Sequence, residues 1–434
     1  MQQRTGPASG ASTPAPPEGR FVQLLLGLVC MMAISSPQYV WTLFTRPLRA
    51  ELGAGPAALQ VTFSLLVVLQ TFFSPAQGFL IDRFGPRRLI ATGTVLTGVS
   101  WLAAAGVRSL TGLYLSYGVL GGLGTGIVYV GVVGLMVRWF PRQRGFAAGL
   151  VAAGYGMGAL VTTFPIAQSL AAHGLRSTLA AFGIGIAAIG TLAALGLRVP
   201  PAWERSDLSV ASDDIPPARM LRTGLFWLLF LMMTLMSTSG LMVTSQMASF
   251  AVDAGLGGAT VLGLAVVPLA LTLDRFTNGL TRPFFGWISD RLGRENTMTL
   301  AFGLEGCAMT AWMLTLHHPV AFVLLSGVVF FGWGEIFSLF PSTLTDSFGT
   351  RHATTNYGFL YMAQGLGSIL GGPMAALLHQ HAGSWTPVFV LAILADFATA
   401  LLAIAVLKPM RRDWLRRRAD GPGFAAMATT TMRS

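Results

Sequence analysis

The chain has 434 residues, 53% of them apolar and only 10% charged, with a net charge of +11 and a mean hydropathy of +0.64. A soluble domain of this length would not be so poor in charge, which excludes an ordinary water-soluble globule. The positive balance does not point to nucleic acid, because the basic residues fall in short segments between long apolar ones and not on one soluble face.

Residues 1–20, rich in Pro, Gly, Ser and Ala, read as a disordered tail. The apolar segment that follows is about as long as a full membrane span and has no small-residue cleavage site, which argues against a cleavable signal peptide. From there the pattern predicts twelve spans, at about 21–45, 57–81, 89–107, 111–138, 145–170, 177–198, 224–252, 259–287, 297–316, 319–347, 354–380 and 384–407. Each is long enough to cross a hydrocarbon core of about 30 Å at about 1.5 Å per residue. The expected fold is therefore an all-α membrane protein of twelve transmembrane helices.

An internal duplication divides it. Gly78-Phe79-Leu80-Ile81-Asp82-Arg83-Phe84-Gly85-Pro86-Arg87 after span 2 is echoed by Gly286-Trp287-Ile288-Ser289-Asp290-Arg291-Leu292-Gly293-Arg294 after span 8, with the two aspartates 208 positions apart. Gly149, Gly156 and Gly158 in span 5 echo Gly358, Gly365 and Gly367 in span 11 at an offset of 209. Two six-helix halves follow, 21–198 and 222–408, joined by a Pro- and Asp-rich linker at 199–221 and followed by a basic tail at 409–434. Parallel halves of six helices are the layout of secondary transporters that rock about a site near the midplane.

Arginines mark the sidedness. One set of alternate loops holds Arg83, Arg87, Arg88, Arg138, Arg142, Arg144, Arg198, Arg205, Arg219, Arg222, Arg291, Arg294 and Arg351, and the other only Arg46, Arg49, Arg108 and Arg176. The positive-inside rule then makes the rich set cytoplasmic, with both termini inside a bacterial inner membrane, and the tail arginines Arg411, Arg412, Arg416, Arg417 and Arg418 agree. Cys30 and Cys307 both fall within spans and read as packing residues, with neither a disulfide framework nor metal-ligand spacing. Gly121-Gly122-Leu123-Gly124-Thr125-Gly126 lies inside an apolar span, where glycines serve close helix packing and not phosphate binding. No cofactor motif appears, and Lys408 is the sole lysine. The chain is expected to work as a monomer without metal, cofactor or enzyme activity.

Two groups of residues carry chemistry. The first is the repeated motif, Gly78, Asp82, Arg83, Gly85 and Arg87 in one half and Gly286, Asp290, Arg291, Gly293 and Arg294 in the other. Each acid is placed to cap the next helix and bridge to a basic residue, as a latch for one conformation or simply as a charged loop. The second lies inside the membrane. Arg282 precedes Asp290 by eight residues, about 12 Å deeper. So costly a charge faces a cavity, a partner or a ligand. Its planar fork suits a carboxylate; the structural alternative is an ion pair with Glu335 or Asp274. Arg275 lies two turns from Arg282 on the same face, and Asp274 and Glu335 would balance the arginines or carry a proton. Tyr39, Trp41, Tyr129, Tyr155, Trp333, Phe337 and Tyr361 are packing residues one by one, or together a box around a small flat anion with hydroxyl and indole donors.

In these residues the chain resembles the oxalate:formate antiporter family of the major facilitator superfamily. The matching segments are Gln38-Tyr39-Val40-Trp41-Thr42-Leu43, Arg138-Trp139-Phe140-Pro141 through Arg144-Gly145, Ala153-Gly154-Tyr155-Gly156, Asn278 through Arg282-Pro283-Phe284, Phe340-Pro341-Ser342 and Asn356-Tyr357-Gly358-Phe359. The resemblance implies the major facilitator fold and an occluded central pocket in which Arg282 binds one carboxylate, lined by Gln38, Tyr39, Tyr129 and Trp333, with Tyr361 where the family's oxalate carrier has a tryptophan. Gln364 stands where that carrier has a lysine for the second carboxylate, and Phe337 where it has a tyrosine. Asp274, Arg275 and Glu335 are charges it lacks. The expected function is small-carboxylate transport of the oxalate:formate exchange type. The alternatives are proton-coupled uptake of a monocarboxylate such as pyruvate or lactate with Glu335 as proton carrier, and a membrane sensor that has lost transport.

Overall fold

The computed structural model describes residues 19–201 and 214–419; the N-terminal tail before residue 19, the middle of the linker and residues 420–434 lie outside the described residues. Among the described residues the chain is almost wholly helical, the exception being one two-residue hairpin, Thr260–Val261 against Leu264–Ala265. Seven helices are long and apolar enough to cross a membrane as they stand, and a bent pair makes an eighth candidate. One of the seven, Arg144–Leu195, is two spans folded back at Gly174, whose φ of 77° breaks the helix. The remaining crossings are Val266–Leu292, Arg294–Leu314 and the broken Ala353–Ala382 path. The first two are less apolar because they hold Asp274, Arg275, Arg282 and Glu305. The twelve spans are therefore all present, and the most polar ones carry the charges that matter below.

Several spans are broken where the sequence reading made them continuous. Span 1 stops at Ala33, resumes at Ser36–Tyr39 and again at Trp41–Leu52. Pro37 has no N–H for the Ala33 carbonyl, so the ladder fails at that turn. Span 2 bends by 49° between Phe72 and Ser74, because Pro75 orphans the Thr71 carbonyl. The Ser74 hydroxyl donates to that carbonyl instead. Span 10 pauses at Gly334 and Glu335 between Pro319–Trp333 and Ile336–Phe348. Span 8 begins at Val266, not 259, since Leu262 and Gly263, at φ 53° and 79°, form the left-handed turn of the hairpin. Span 12 continues through a π-helical turn into Lys408–Ala419. The first part of the expected basic tail is thus an ordered helix. Trp414 and Arg418 of that helix donate to the Ser347 carbonyl at 2.9 and 2.5 Å, and Arg411 pairs with Glu295 at 2.6 Å.

The halves meet chiefly through span 2 against span 11 and span 5 against span 8, and the sequence permits this with glycine. A Cβ at Gly78 would lie 2.6 Å from the Thr354 carbonyl oxygen, one at Gly145 would lie 2.5 Å from that of Gly286, and one at Gly149 would strike the Arg282 carbonyl. Of the repeated glycines, Gly78, Gly149, Gly286 and Gly358 therefore mark where one half's backbone lies on the other's. One apolar core runs through both halves at the midplane and the arginine-rich end and continues through the C-terminal half to the far end, around Phe250 and Trp312. A second, around Trp101, Phe44 and Tyr117, belongs to the N-terminal half alone at the far end. Among the described residues, hydrogen bonds between the halves lie at the midplane or toward the arginine-rich end. The molecule is closed at that end, and among the described residues no hydrogen bond ties the halves together at the far end.

Candidate functional site: a buried arginine in an aromatic cage

Arg282 is 1% exposed at the junction of spans 8 and 5. Its Nη1 donates to the Ala152 carbonyl at 2.6 Å and its Nη2 to Asn278 Oδ1 at 2.5 Å. The guanidinium lies 4.4 Å from the Phe337 ring centroid, and Nε has no partner. Gly156 lies against it, a Cβ there falling in ordinary contact with the guanidinium at 3.4 Å. Among the described residues Arg282 forms no salt bridge. The structural alternative, a direct ion pair with Glu335 or Asp274, is not formed.

Around it the expected aromatic residues come together from five spans. Tyr129 stacks on Tyr361 with centroids 4.7 Å apart and planes 17° from parallel. Tyr155 meets Tyr129 edge-on at 5.1 Å and Tyr39 at 5.5 Å, and Phe337 approaches Tyr129 at 6.4 Å. Tyr357, quoted above only within a motif, adds a further ring 5.7 Å from Tyr361. Its hydroxyl is buried without a hydrogen-bond partner. The residue that sequence reasoning missed is Gln70. Its amide nitrogen donates to the hydroxyls of Tyr155 at 3.1 Å and Tyr361 at 3.2 Å, and Tyr155 in turn donates to Gln38 Oε1 at 2.5 Å. One side chain of span 2 thereby joins spans 1, 5 and 11 across both halves. A glutamine deep in the apolar run 65–73 was the available signal.

Other expected site residues fall differently. Trp333 packs near Phe337 at 5.8 Å, but its indole N–H donates to the Met236 carbonyl at 2.8 Å. It is therefore not a free donor for an anion, because in an apolar surrounding the nearest carbonyl takes it. Trp41 belongs to the far-end core of the N-terminal half and not to the cage. Gln364 lies one turn beyond Tyr361, buried, with Oε1 unpartnered. Asp274 is buried with both oxygens unpartnered, next to Ser326, while Arg275 is half-buried and makes no ion pair among the described residues. Glu335 sits at the break of span 10, wholly buried, with both oxygens unpartnered.

The repeated motif is resolved in detail. Asp290 accepts the backbone N–H groups of Gly145 at 3.0 Å and Phe146 at 2.9 Å and pairs with Arg294 at 2.7 Å. Asp82 accepts the Thr355 N–H at 2.8 Å and its hydroxyl at 2.6 Å, and pairs with Arg138. Each acid thus caps a helix of the opposite half, span 5 or span 11, where the sequence reading had it cap the next helix of its own half. The reason is geometric: Gly85 and Gly293, at φ 91° and 89°, turn the chain away, and the close glycine crossings bring the other half's first turn to the acid. Arg294 and Arg144 converge on Asp346, at 2.9 and 2.5 Å. Arg83, Arg87 and Arg291 remain at the surface, Arg83 and Arg291 lying over the rings of Phe84 and Trp287.

The comparisons with known proteins agree with this architecture. Residues 24–276 and 267–429 match the profile of the Major Facilitator Superfamily. The oxalate:formate antiporter of Oxalobacter formigenes is 32% identical over 91% of this chain and 93% of its own length. Monocarboxylate transporter 13 of Bos taurus is 27% identical over 76% of this chain and 75% of its own. Among solved structures, the transporter FucP in its outward conformation superposes with a TM-score of 0.69 at 13% identity, over 89% of this chain and 99% of that one. The chain is a multi-pass membrane transporter and not an enzyme, and it belongs to the Major Facilitator Superfamily, in the company of the oxalate:formate antiporter.

Proposed function

We propose that this protein carries small carboxylate anions across a bacterial inner membrane by alternating access, in exchange of the oxalate:formate type, with Arg282 as the ligand of one carboxylate. The observation that carries the reading is the isolation of that guanidinium: a buried cation at the centre of the fold, held by a carbonyl and an amide oxygen and by no acid. A buried charge without a counter-charge is costly, and a carboxylate entering beside it would supply the missing charge with matched fork geometry. Tyr129, Tyr155, Tyr361 and Phe337 would bound a small flat ligand, with Gln38, Tyr39, Gln70 and Gln364 at its polar edges. Trp333 supports the cage from behind.

The arginine-rich end is taken as cytoplasmic by the positive-inside rule, which makes the conformation described here outward-facing, with both chain ends inside. The two cross-half aspartate caps then act as the cytoplasmic latch. One chain holds both halves of its site and works as a monomer in the bilayer.

The test is counterflow in proteoliposomes, with labelled oxalate outside and unlabelled oxalate, formate, pyruvate or lactate inside. Accumulation of label driven by internal oxalate or formate, and abolished in the Arg282→Gln carrier, is the expected result. Counterflow that persists undiminished in that variant would overturn the assignment of Arg282. A second reading, proton-coupled monocarboxylate uptake, is favoured by one specific observation: among the described residues Arg282 is the one buried cation at the cage and Gln364 adds no charge, so a single carboxylate suffices to neutralise the site. Label accumulation that follows only an imposed pH gradient, with pyruvate or lactate, would select it.

A further inference from the structure

Behind the cage, inside the C-terminal half, three carboxyl groups that the sequence reading brought together in no way lie near enough to act on one another through space: Glu305 of span 9, Asp396 of span 12 and Glu335 at the break of span 10, all wholly buried. Span 10 packs directly on Glu305, since a Cβ at Gly332 would lie 2.7 Å from Glu305 Cβ. The Ser239 hydroxyl of span 7 donates to Glu305 Oε1 at 3.4 Å and also faces Asp396. Both oxygens of Asp396, both of Glu335 and Oε2 of Glu305 have no hydrogen-bond partner. The charged groups that act on the cluster are its own three acids and, from span 8, Arg282, which lies close enough to Glu335 to interact through space without touching it.

Charge counting decides what this cluster binds. Three ionised carboxylates facing one guanidinium would leave two uncompensated negative charges in the membrane interior, where a buried ion without a counter-charge is costly. A proton on the cluster removes part of that excess, so the ligand that fits is the proton. Glu335 makes the occupancy depend on the cage. Burial in the apolar interior and the neighbouring Asp396 work against a charge on Glu335, and the guanidinium of an empty Arg282 works for it. Once an anion occupies Arg282, that favour is cancelled, and the carboxylate repels the new negative charge.

We propose that Glu305, Asp396 and Glu335 form a proton site that takes up a proton when an anion binds Arg282, so that the carrier moves its carboxylate together with a proton. The balance is simple: one solvent proton joins one carboxylate oxygen to give a neutral carboxyl, and leaves when the anion leaves. By reciprocity, lowering the pH tightens anion binding by the same factor that anion binding tightens the proton. For an exchanger of a divalent for a monovalent anion, one proton travelling with the former makes the exchange electrically neutral. The inference rests on the reading of Arg282 as the anion ligand.

The experiment is direct proton counting. Purified carrier in weakly buffered detergent with a pH indicator receives oxalate, formate or lactate, and anion binding is followed separately by quenching of tryptophan fluorescence. About one proton taken up per anion bound is expected in the native protein, falling by at least half in Glu305→Gln and in Asp396→Asn. Saturable binding with no proton uptake by the native protein overturns the proton site while leaving the carboxylate assignment standing. Absence of binding for every anion, together with absence of counterflow, overturns the assignment of Arg282 and this inference with it. Should Asp396→Asn fail to fold, the native protein's proton count and the Glu305→Gln carrier still decide the matter, because a purely structural role for the cluster leaves the proton count unchanged.

Discussion

Replacing Asp290 with Asn tests the cross-half latch with little change of shape. The carboxylate is 6% exposed and accepts two backbone N–H groups from the first turn of span 5, at 3.0 and 2.9 Å, besides its ion pair with Arg294. An amide keeps one carbonyl oxygen, so it satisfies one N–H and turns its NH2 toward the other. A buried donor left unmatched costs about 1–3 kcal/mol, and loss of a negative charge at a partly buried helix N-terminus costs about 1 kcal/mol more. Arg294 retains Asp346 at 2.9 Å, so its own pairing is not added to the sum. The total is about 3 kcal/mol, or roughly a hundredfold in an equilibrium constant. Because the lost bonds run between the halves, the penalty falls on the conformation closed at the arginine-rich end and not on the folding of either half. In a carrier with Cys30 and Cys307 replaced by alanine, spin labels at cysteines substituted for Arg88 and Asn296, both exposed at that end, report the separation by pulsed EPR. The expected result is a marked shift of the distance distribution toward longer separations in Asp290→Asn. An unchanged distribution in folded protein would refute the latch.

Further outcomes follow from the same geometry. Gly149→Ala places a methyl group on the Arg282 carbonyl; overpacking there costs about 1–3 kcal/mol, so the same EPR pair should report opening, and KM should change because the arginine moves with its backbone. Gln70→Leu leaves the Tyr155 and Tyr361 hydroxyls without their shared donor, at about 1–2 kcal/mol, and is expected to raise KM in counterflow by about five- to thirtyfold; an unchanged KM would remove Gln70 from the site. Trp414→Ala loses the Ser347 hydrogen bond and the Phe348 ring contact, and should lower the unfolding temperature in detergent with transport kinetics unaltered at permissive temperature.

Much of the architecture is legible in sequence because the bilayer imposes a one-dimensional constraint: backbone polar groups must be satisfied within each crossing, so each crossing is a long apolar helix. Twelve such runs, and the echo of Gly78 and Asp82 in Gly286 and Asp290, give the two halves without any tertiary information. Arg282 stands out for the same reason, since nothing local explains an arginine at that depth. The breaks in spans 1 and 2 are readable in hindsight from Pro37 and Pro75, but a proline marks only where a helix is weakened and not how far it bends.

Contacts between residues far apart in sequence are another matter. Glu305 and Asp396 each look like a stray acid in an apolar run, and only packing of spans 9, 10 and 12 joins them to Glu335. Trp333 reads as a donor until the Met236 carbonyl is found against its N–H. Asp82 and Asp290 read as caps of their own half, and only the glycine crossings deliver the opposite half's helix ends to them. The sequence by itself determined which segments enter the membrane, how they repeat and which charges are out of place there, because hydropathy and period are local properties. The tertiary structure decided which of those charges are paired, which are left alone and which face one another, because in an apolar interior the energy of a polar group is set by its nearest few ångströms, and those are supplied by other helices.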